Sequence, residues 1–465
     1  MAIIPIQDSD PLLNNLQANI LKGHGRNFAH HLFLQLDAGK AGLAKNWISS
    51  FANTVITSAR QQQEKTLAFR SGTITDGGSI ITLSLSASCY NKLGLQASKP
   101  RSNSFEKGMQ GSAQLLADNA DEWDEPFRLV LDMLIIVADD KSKTAKAVSD
   151  DIVKQVSAFS KLVLNQRGNV LKTKSGMGIE HFGYADGISQ PLYLADDINR
   201  QASINEWNDA TDRDLLLVAD NTDLTDSFGS FLVFRKLEQN VKRFKDSENK
   251  LPVVKDVNGN KNKELPGAML VGRFENSLPV VKTSTGIQTN PPNITNDFSY
   301  SDDTAASKCP FHSHIRLMNP RNGDVQAGDV SAQRITRRGI PYDDVNRIPE
   351  ERINTVSDDL LQSNEPVAGV GLLFMCYQKS IETQFEILQA HWANEGNIAG
   401  HFVDGQDSLI GQGSNPDKTL PVQWGAPAQT QPFSFNNFVR MKGGEYFFTP
   451  GIAFLKGIGS SIATL

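Results

Sequence analysis

Strand-length apolar runs alternate with helical stripes through the first 170 residues, and that alternation restricts the fold more than any other feature of the chain. His31 to Leu36 reads as a strand, and Leu43, Trp47, Phe51 and Val55 then fall four apart, laying one apolar stripe along a helix from about Ala41 to Ala59. Ile81, Leu83 and Leu85 alternate with Thr82, Ser84 and Ser86, the period of a half-buried strand, and Leu129 to Val137 is a nearly continuous apolar strand. Ala145, Val148, Ile152, Val156 and Phe159 form a second helical stripe, after which Lys161 to Leu164 and Val170-Leu171 supply a final strand or hairpin. The order is βαββαβ, that of a ferredoxin-like sandwich. Ahead of it, Leu12, Leu16 and Ile20 recur at helical spacing with Gly23 as a cap, which predicts a short opening helix.

The second half repeats the order with longer insertions. It reads as strand Ser230 to Arg235, helical segments around Leu237 to Phe244, strand His312 to Met318, strand Val370 to Tyr377, helix Ile381 to Ala393 and strand Glu445 to Phe448. Ile381, Phe385, Leu388 and Trp392 carry that helix's stripe. The halves share a pattern and no sequence identity. The expectation is an α+β chain of two ferredoxin-like domains, each an antiparallel sheet packed by helices, with residues 1–176 and 177–465 divided at the small, polar run Lys172 to Gly178. A length of 465 residues is too great for one ordinary core and fits this division. Lys245 to Lys263 and Thr283 to Ala305, rich in Asn, Asp, Lys, Ser and Pro, read as surface loops or partly disordered excursions and poor places to look for chemistry.

A net charge of -6 and a pI near 5.8 give no electrostatic footprint for nucleic acid or an anionic membrane. No window approaches the roughly 20 apolar residues that span a bilayer. Cys89, Cys309 and Cys376 lie far apart without metal or redox spacing, and the first residues lack a charged stretch leading into an apolar one. A reducing, cytoplasmic setting is expected, in which the glycosylation acceptor Asn293-Ile294-Thr295 is idle.

Three segments carry chemistry-bearing side chains: Phe182-Gly183-Tyr184-Ala185-Asp186-Gly187, His312-Ser313-His314-Ile315-Arg316-Leu317-Met318-Asn319-Pro320-Arg321 and Ile335-Thr336-Arg337-Arg338-Gly339-Ile340-Pro341-Tyr342. Each has a plain structural explanation. Asp-Gly is a common turn pair, a lone histidine is more often structural than ligating, and arginines are commonly salt-bridged at the surface. Together they supply an imidazole, a carboxylate and a guanidinium, the groups needed to hold a haem iron and to cleave a peroxide.

In wording and order these segments, with Leu16 to Arg26 near the start and Gly443 to Phe448 near the end, make the chain resemble the dye-decolourising peroxidases, haem enzymes of two ferredoxin-like domains. The resemblance implies haem b (iron protoporphyrin IX) in the C-terminal domain, with His314 as proximal iron ligand. His312, two residues away and on the same side of a strand, is the competitor. It further implies Asp186 as distal acid/base, active into acid because a carboxyl titrates near 4, and Arg337 as the charge stabiliser. Arg338 is the alternative, but neighbours on an extended segment point opposite ways, so one of the two enters the pocket. Some relatives carry an asparagine where this chain has Gly339. Leu372 and Phe374 match the pair that walls the distal pocket, Asp407 is the candidate partner of the other His314 nitrogen, and Arg316 and Arg321 are candidates for the haem propionates. Hydrogen peroxide and small or bulky organic reductants, dyes and phenolics among them, are the implied substrates, with Trp392, Tyr377 and Tyr446 as candidate electron relays or plain core residues. An oligomer is compatible with all this. Two other readings remain: a haem-binding or haem-trafficking protein of the same fold, which needs His314 alone, and a ferredoxin-like binding module without cofactor.

Overall fold

The computed structural model describes residues 3–201, 206–220, 227–287, 296–321, 330–398, 401–402, 405–413 and 418–460. In the first half, strands β1 (Phe28–Leu36), β2 (Ile80–Leu85), β3 (Met133–Asp139) and β4 (Ser160–Asn169) form with helices Ala41–Thr54 and Ser142–Val156 between them, as the pattern predicts. In the second half, β5 (Phe228–Gln239), β6 (Thr336–Arg337), β7 (Ile340–Asp343), β8 (Val370–Gln378) and β9 (Val439–Thr449), with the two-residue strand Val218–Ala219 paired to β5, join them in one ten-stranded sheet. Its main path runs β6-β8-β5-β9-β2-β3-β1-β4, with β7 also paired to β8.

Each half therefore uses the same spatial order: second strand, third, first, fourth. The halves stand side by side in the same sense, joined where Phe448 of β9 pairs with Leu85 of β2. The outer strands meet as well. Gly168 of β4 faces Ile340 of β7 so closely that a Cβ would lie 2.6 Å from Cγ2, and Gln166 donates to Asp344 Oδ1 at 3.0 Å. The sheet thus curls toward a barrel, which explains why β2 is buried on both faces instead of one: Ser84 faces β9 and its hydroxyl meets that of Thr449 at 2.6 Å. Phe33, Phe127, Phe234 and Phe447 pack edge to face and tilted in the enclosed core.

Several expectations are corrected. The opening helix spans only Leu12–Asn15, because the Gln17 amide bonds to Leu83 N and O and to Pro450 O, and Asn19 takes a φ of 68°. The stripe read as reaching Ala59 ends at Thr54, and Ala59–Arg70 is a separate helix started by a Ser58–Gln61 capping box. β3 begins at Met133 rather than Leu129, and Leu237 belongs to β5 rather than to the helix Val241–Glu248. Ile381–Glu386 and Leu388–Ala393 do form a helical segment, wound as π-helix. Most consequential, His312 to Met318 is not a strand: residues His314–Met318 form a helix, and the second strand of this half is β6 with β7. Of the segment from Thr283 to Ala305, residues 288–295, with the acceptor Asn293-Ile294-Thr295, lie outside the described residues, and the part after them is not mere surface, since Phe298, Tyr300 and Asp303 are buried.

Candidate active site

The loop that carries Asp186 is folded around a carboxylate. Glu180 accepts the N–H groups of Phe182 at 2.8 Å and Tyr184 at 2.9 Å and also meets the Gln239 amide, while burial pushes its carboxyl up to about 7. Gly183 sits at φ 101°, the left-handed region that favours glycine, so the chain doubles back and Asp186 N reaches Gly178 O at 3.1 Å.

Asp186 Oδ1 accepts from Arg337 Nη2 at 2.6 Å. Burial alone would raise its carboxyl, but the Arg337 charge and hydrogen bond, the Gly187 N–H and the nearby His314 outweigh burial and hold it below the ordinary carboxylate range. Arg337 is fixed by strand pairing with Cys376 of β8 and by its N–H to Gln190 Oε1 at 3.0 Å. Arg338 points away, as alternation requires: its Nε and Nη2 donate to the carbonyls of Asn19 at 2.7 Å and Ile20 at 2.8 Å.

His314 is the first residue of its short helix, and its Nδ1 lies 2.8 Å from Asp407 Oδ2. Asp407 is fully buried, and its other oxygen accepts the N–H groups of Leu409 at 2.8 Å and Ile410 at 2.9 Å. Although burial works to raise it, the charge and hydrogen bond of His314 and the N–H groups of Ile410 and Leu409 keep the carboxyl low, so it is an ionised acceptor that holds an imidazole proton on Nδ1. Nε2 has no hydrogen-bond partner among the described residues. His312, by contrast, is buried, with its ring 5.6 Å from Phe433 and its Nε2 3.0 Å from Thr419 O.

Asp186, Arg337 and His314 line one cavity of about 600 Å³, a size usual for a cofactor site. Leu372 and Phe374, alternate residues of β8 on one face, line it too, with Phe385, Leu388, Trp392 and Ile410 extending the apolar wall. Its polar part is a guanidinium cluster. Arg273 and Arg321 stack on Phe298 at 5.3 and 3.7 Å, and Arg321 and Arg334 on Trp207 at 4.6 and 4.5 Å. Burial pushes Arg273 and Arg321 down to about 10, still cationic at neutral pH. An imidazole with an open nitrogen, an apolar wall and clustered arginines fit a flat apolar macrocycle bearing an iron and carboxylates.

Arg316 does not fit that expectation. Its Nη1 donates to Asp303 Oδ2 at 2.9 Å and Cys309 O at 2.6 Å, and it stacks on Tyr300 and Phe311 away from the cavity. The cause is the helix: at 3.6 residues per turn, positions two apart lie on nearly opposite sides, whereas a strand would have kept Arg316 beside His314. Trp392, Tyr377 and Tyr446 are all buried, so none is a surface relay; Trp392 lines the cavity and Tyr446 bonds Glu386 at 3.0 Å. Sequence reasoning missed Glu180, Gln190, Arg273 and Arg334, none of which has a spacing that announces a role.

Family models match both halves: one described as a DyP dimeric alpha+beta barrel domain over residues 15–171, the other as Dyp-type peroxidase, C-terminal, over residues 201–404. The multifunctional dye peroxidase DyP2 of Amycolatopsis sp. is 35% identical, covering 96% of this chain and 96% of its own. A dye-decolorizing peroxidase of Exidia glandulosa is 30% identical over 74% of this chain and 68% of its own. Among solved structures, a DyP-type peroxidase of Anabaena sp. superposes with a TM-score of 0.86 at 36% identity, covering 98% of this chain and 97% of that one. A dye-decolorizing peroxidase in complex with 2,6-dimethoxyphenol gives 0.78 at 26% identity over 96% and 99%. Among the described residues no helix is long and apolar enough to cross a membrane.

Proposed function

This chain belongs to the dye-decolourising peroxidase family and is a haem-dependent peroxidase, and from that premise we propose haem b as the cofactor, His314 as its iron ligand, and Asp186 with Arg337 as the residues that cleave hydrogen peroxide. One observation carries the reading: a single cavity is lined both by a histidine with an open Nε2 and by an ionised carboxylate paired to an arginine. Haem trafficking needs the first feature and has no use for the second.

Bound haem supplies a redox-active iron that takes up the oxidising equivalents of the peroxide and returns them to organic donors one electron at a time. Asp407 keeps the His314 proton on Nδ1 and so keeps Nε2 basic toward iron. Leu372 and Phe374 exclude water and bulky molecules from the peroxide site. Asp186, ionised on arrival of the peroxide, takes the proton of one oxygen and delivers it to the other, which departs as water. Arg337 holds Oδ1, which leaves Oδ2 to carry the proton, and its charge offsets the negative charge that develops as the O–O bond breaks. Arg273, Arg321 and Arg334 would receive the propionates, in place of Arg316. Phenols are a fitting donor class, as a relative was solved with 2,6-dimethoxyphenol. We also assign residues 1–176 and 177–465 as the two domains, with the haem site in the second, and a cytoplasmic setting, which the three buried free thiols suit.

The test is an optical spectrum of the haem-loaded protein before and after peroxide. His314→Ala should lose the ligated-iron spectrum, and Asp186→Asn and Arg337→Leu should keep it while slowing peroxide consumption. An unchanged spectrum in the first or unchanged rates in the others would refute the assignments.

A further inference from the structure

The arginine edge of the cavity contains a carboxylate that no step of the peroxide chemistry uses. Asp209 is buried and lines the cavity beside Arg273, Arg321 and Arg334, yet each of its four hydrogen-bond donors is neutral. Its Oδ1 accepts from Trp207 Nε1 at 2.6 Å and Ser189 Oγ at 3.1 Å, and its Oδ2 accepts from Gln201 Nε2 at 3.1 Å and from Asn296 Nδ2. A carboxylate has about four acceptor positions, so none is left over for a ligand.

Two of those donors lead on to the arginines. The Trp207 ring, pinned through its N–H, is the plate on which Arg321 and Arg334 stack at 4.6 and 4.5 Å. Asn296 turns its Oδ1 to Arg321 Nη2 at 2.6 Å and to Arg273 Nη2 at 3.1 Å. An amide has an acceptor on one side and a donor on the other, and Asp209, which can only accept, fixes the NH₂ toward itself and the oxygen toward the guanidiniums. Arg321 shows the result. Its Nη1 donates to Asn296 O at 2.6 Å and Phe298 O at 3.0 Å, its Nη2 to Asn296 Oδ1 and to Ser189 Oγ at 3.3 Å, and its buried Nε has no partner among the described residues. A buried N–H left unpaired is costly unless a ligand takes it. A guanidinium clamped by four bonds, with its fifth donor open, is preorganised for a carboxylate.

We propose that Asp209 is a positioning residue for the haem propionates: by fixing the Asn296 amide and the Trp207 ring, it holds Arg273, Arg321 and Arg334 in the arrangement that receives them. This deepens the haem reading above and rests on it.

The full-length apoprotein is titrated with haem and with haem dimethyl ester, which keeps the iron and loses both propionate charges, and each titration is followed by the absorbance of the ligated iron. His314 ligates both, so the ratio of the two affinities reads the propionate contacts. Wild type should favour haem by about ten- to a hundredfold, as charge-assisted hydrogen bonds allow. In Asp209→Asn the new NH₂ confronts Asn296 Nδ2 and turns that amide over, and the ratio should fall about tenfold. Asn296→Ala keeps the carboxylate and removes the link, so it should lower the ratio by a similar factor, with the double variant no worse than either single one. Should Asp209→Asn fail to fold by circular dichroism, the ratio in Asn296→Ala decides alone. An unchanged ratio, with both affinities falling together, makes Asp209 a plain structural anchor and overturns the proposal. A raised ratio, the result of removing a bare negative charge beside three guanidiniums, overturns it too. Equal affinities in wild type overturn the propionate role and leave the cofactor reading standing, whereas no ligated-iron spectrum with either porphyrin overturns both.

Discussion

Replacing Asp407 by asparagine should weaken haem binding by about ten- to a hundredfold while leaving the fold intact. The carboxylate does two jobs with its two oxygens. Oδ1 accepts the N–H groups of Leu409 and Ile410, and Oδ2 accepts from His314 Nδ1 at 2.8 Å. An asparagine keeps the first job with its carbonyl oxygen. It fails the second, because its NH₂ then confronts the Nδ1–H and two donors face each other. His314 relieves the clash by moving its proton to Nε2, the nitrogen needed for iron, or by rotating out of place. A charge-assisted hydrogen bond of this kind is worth about 1.5–3 kcal/mol, close to the 1.4–2.7 kcal/mol that roughly ten- to a hundredfold in affinity represents. The assay is titration of the apoprotein with haem, followed by the absorbance of the ligated iron, with thermal melting by circular dichroism alongside. Asp407→Ala is the contrast: it strips the Leu409 and Ile410 donors too, so it should lower Tm where Asp407→Asn does not. An Asp407→Asn protein that takes up haem within about twofold of wild type, with the same spectrum, would refute the claim that Asp407 sets the His314 tautomer.

Asp186→Asn should slow peroxide consumption by about 10²- to 10⁴-fold with haem affinity little changed, by stopped-flow and titration respectively. Because the Asp186 carboxyl lies below its ordinary range, the ion pair with Arg337 is intact above that range and is lost only as pH falls through the lowered value; the wild-type rate profile should hold down to about pH 4, and a collapse near neutrality would count against Asp186 as the base. Arg235 and Asp118 form a bidentate ion pair with side chains 3% and 0% exposed, so Asp118→Ala should cost about 3–5 kcal/mol in denaturant unfolding by stranding a buried guanidinium; a loss below about 1 kcal/mol would show that the pair is solvated. Burial raises the Glu445 carboxyl from 4.5 to about 7, so the folded chain holds a proton that the unfolded chain has released and stability declines as pH rises between those values. Glu445→Gln retains the oxygen that accepts from Met109 and Tyr446 and should therefore gain about 1–3 kcal/mol over wild type at pH 8 but not at pH 4, measured as a pH-dependent difference in Tm.

The strands that sequence locates well are those with long uninterrupted signals. β3 is a run of apolar residues because both of its faces are covered, and β8 likewise, so neither needs neighbours to be recognised. β6 and β7 escape because Gly339 and Pro341 break the run, and a proline is tolerated there because β7 has a backbone ladder with β8 alone, its other edge packing on β4 through side chains. With that strand unseen, the βαββαβ order of the second half needs another candidate, and His312 to Met318, with polar residues two apart, supplies one. Five helical residues are too few for a period of 3.6 to show itself. The βαββαβ order read for the second half survives this error because β6 and β7 supply the second strand ahead of β8.

The same misassignment decides which site residues are legible. Arg337 ends strand β6 and Arg338 directly follows it, its N–H still bonded to Met375 O of β8, so alternation separates them correctly and one alone meets Asp186. His314 and Arg316 lie on a helix, so the strand rule puts Arg316 beside His314 when it lies almost opposite, bonded to Asp303 in a segment that composition marks as surface. Three of the guanidiniums that line the cavity, Arg273, Arg321 and Arg334, come from separate places and are brought together by stacking on Phe298 and Trp207. Arginine over an aromatic face obeys no sequence spacing, because the ring accepts a cation from any direction along its normal and from any distance along the chain. Reactive groups that must act at one point are therefore recoverable from motifs, since each is held by a short local device such as the Glu180 loop. A cradle that holds a large cofactor draws on many weak contacts from remote segments, and it becomes visible only once the secondary structure fixes where each side chain points.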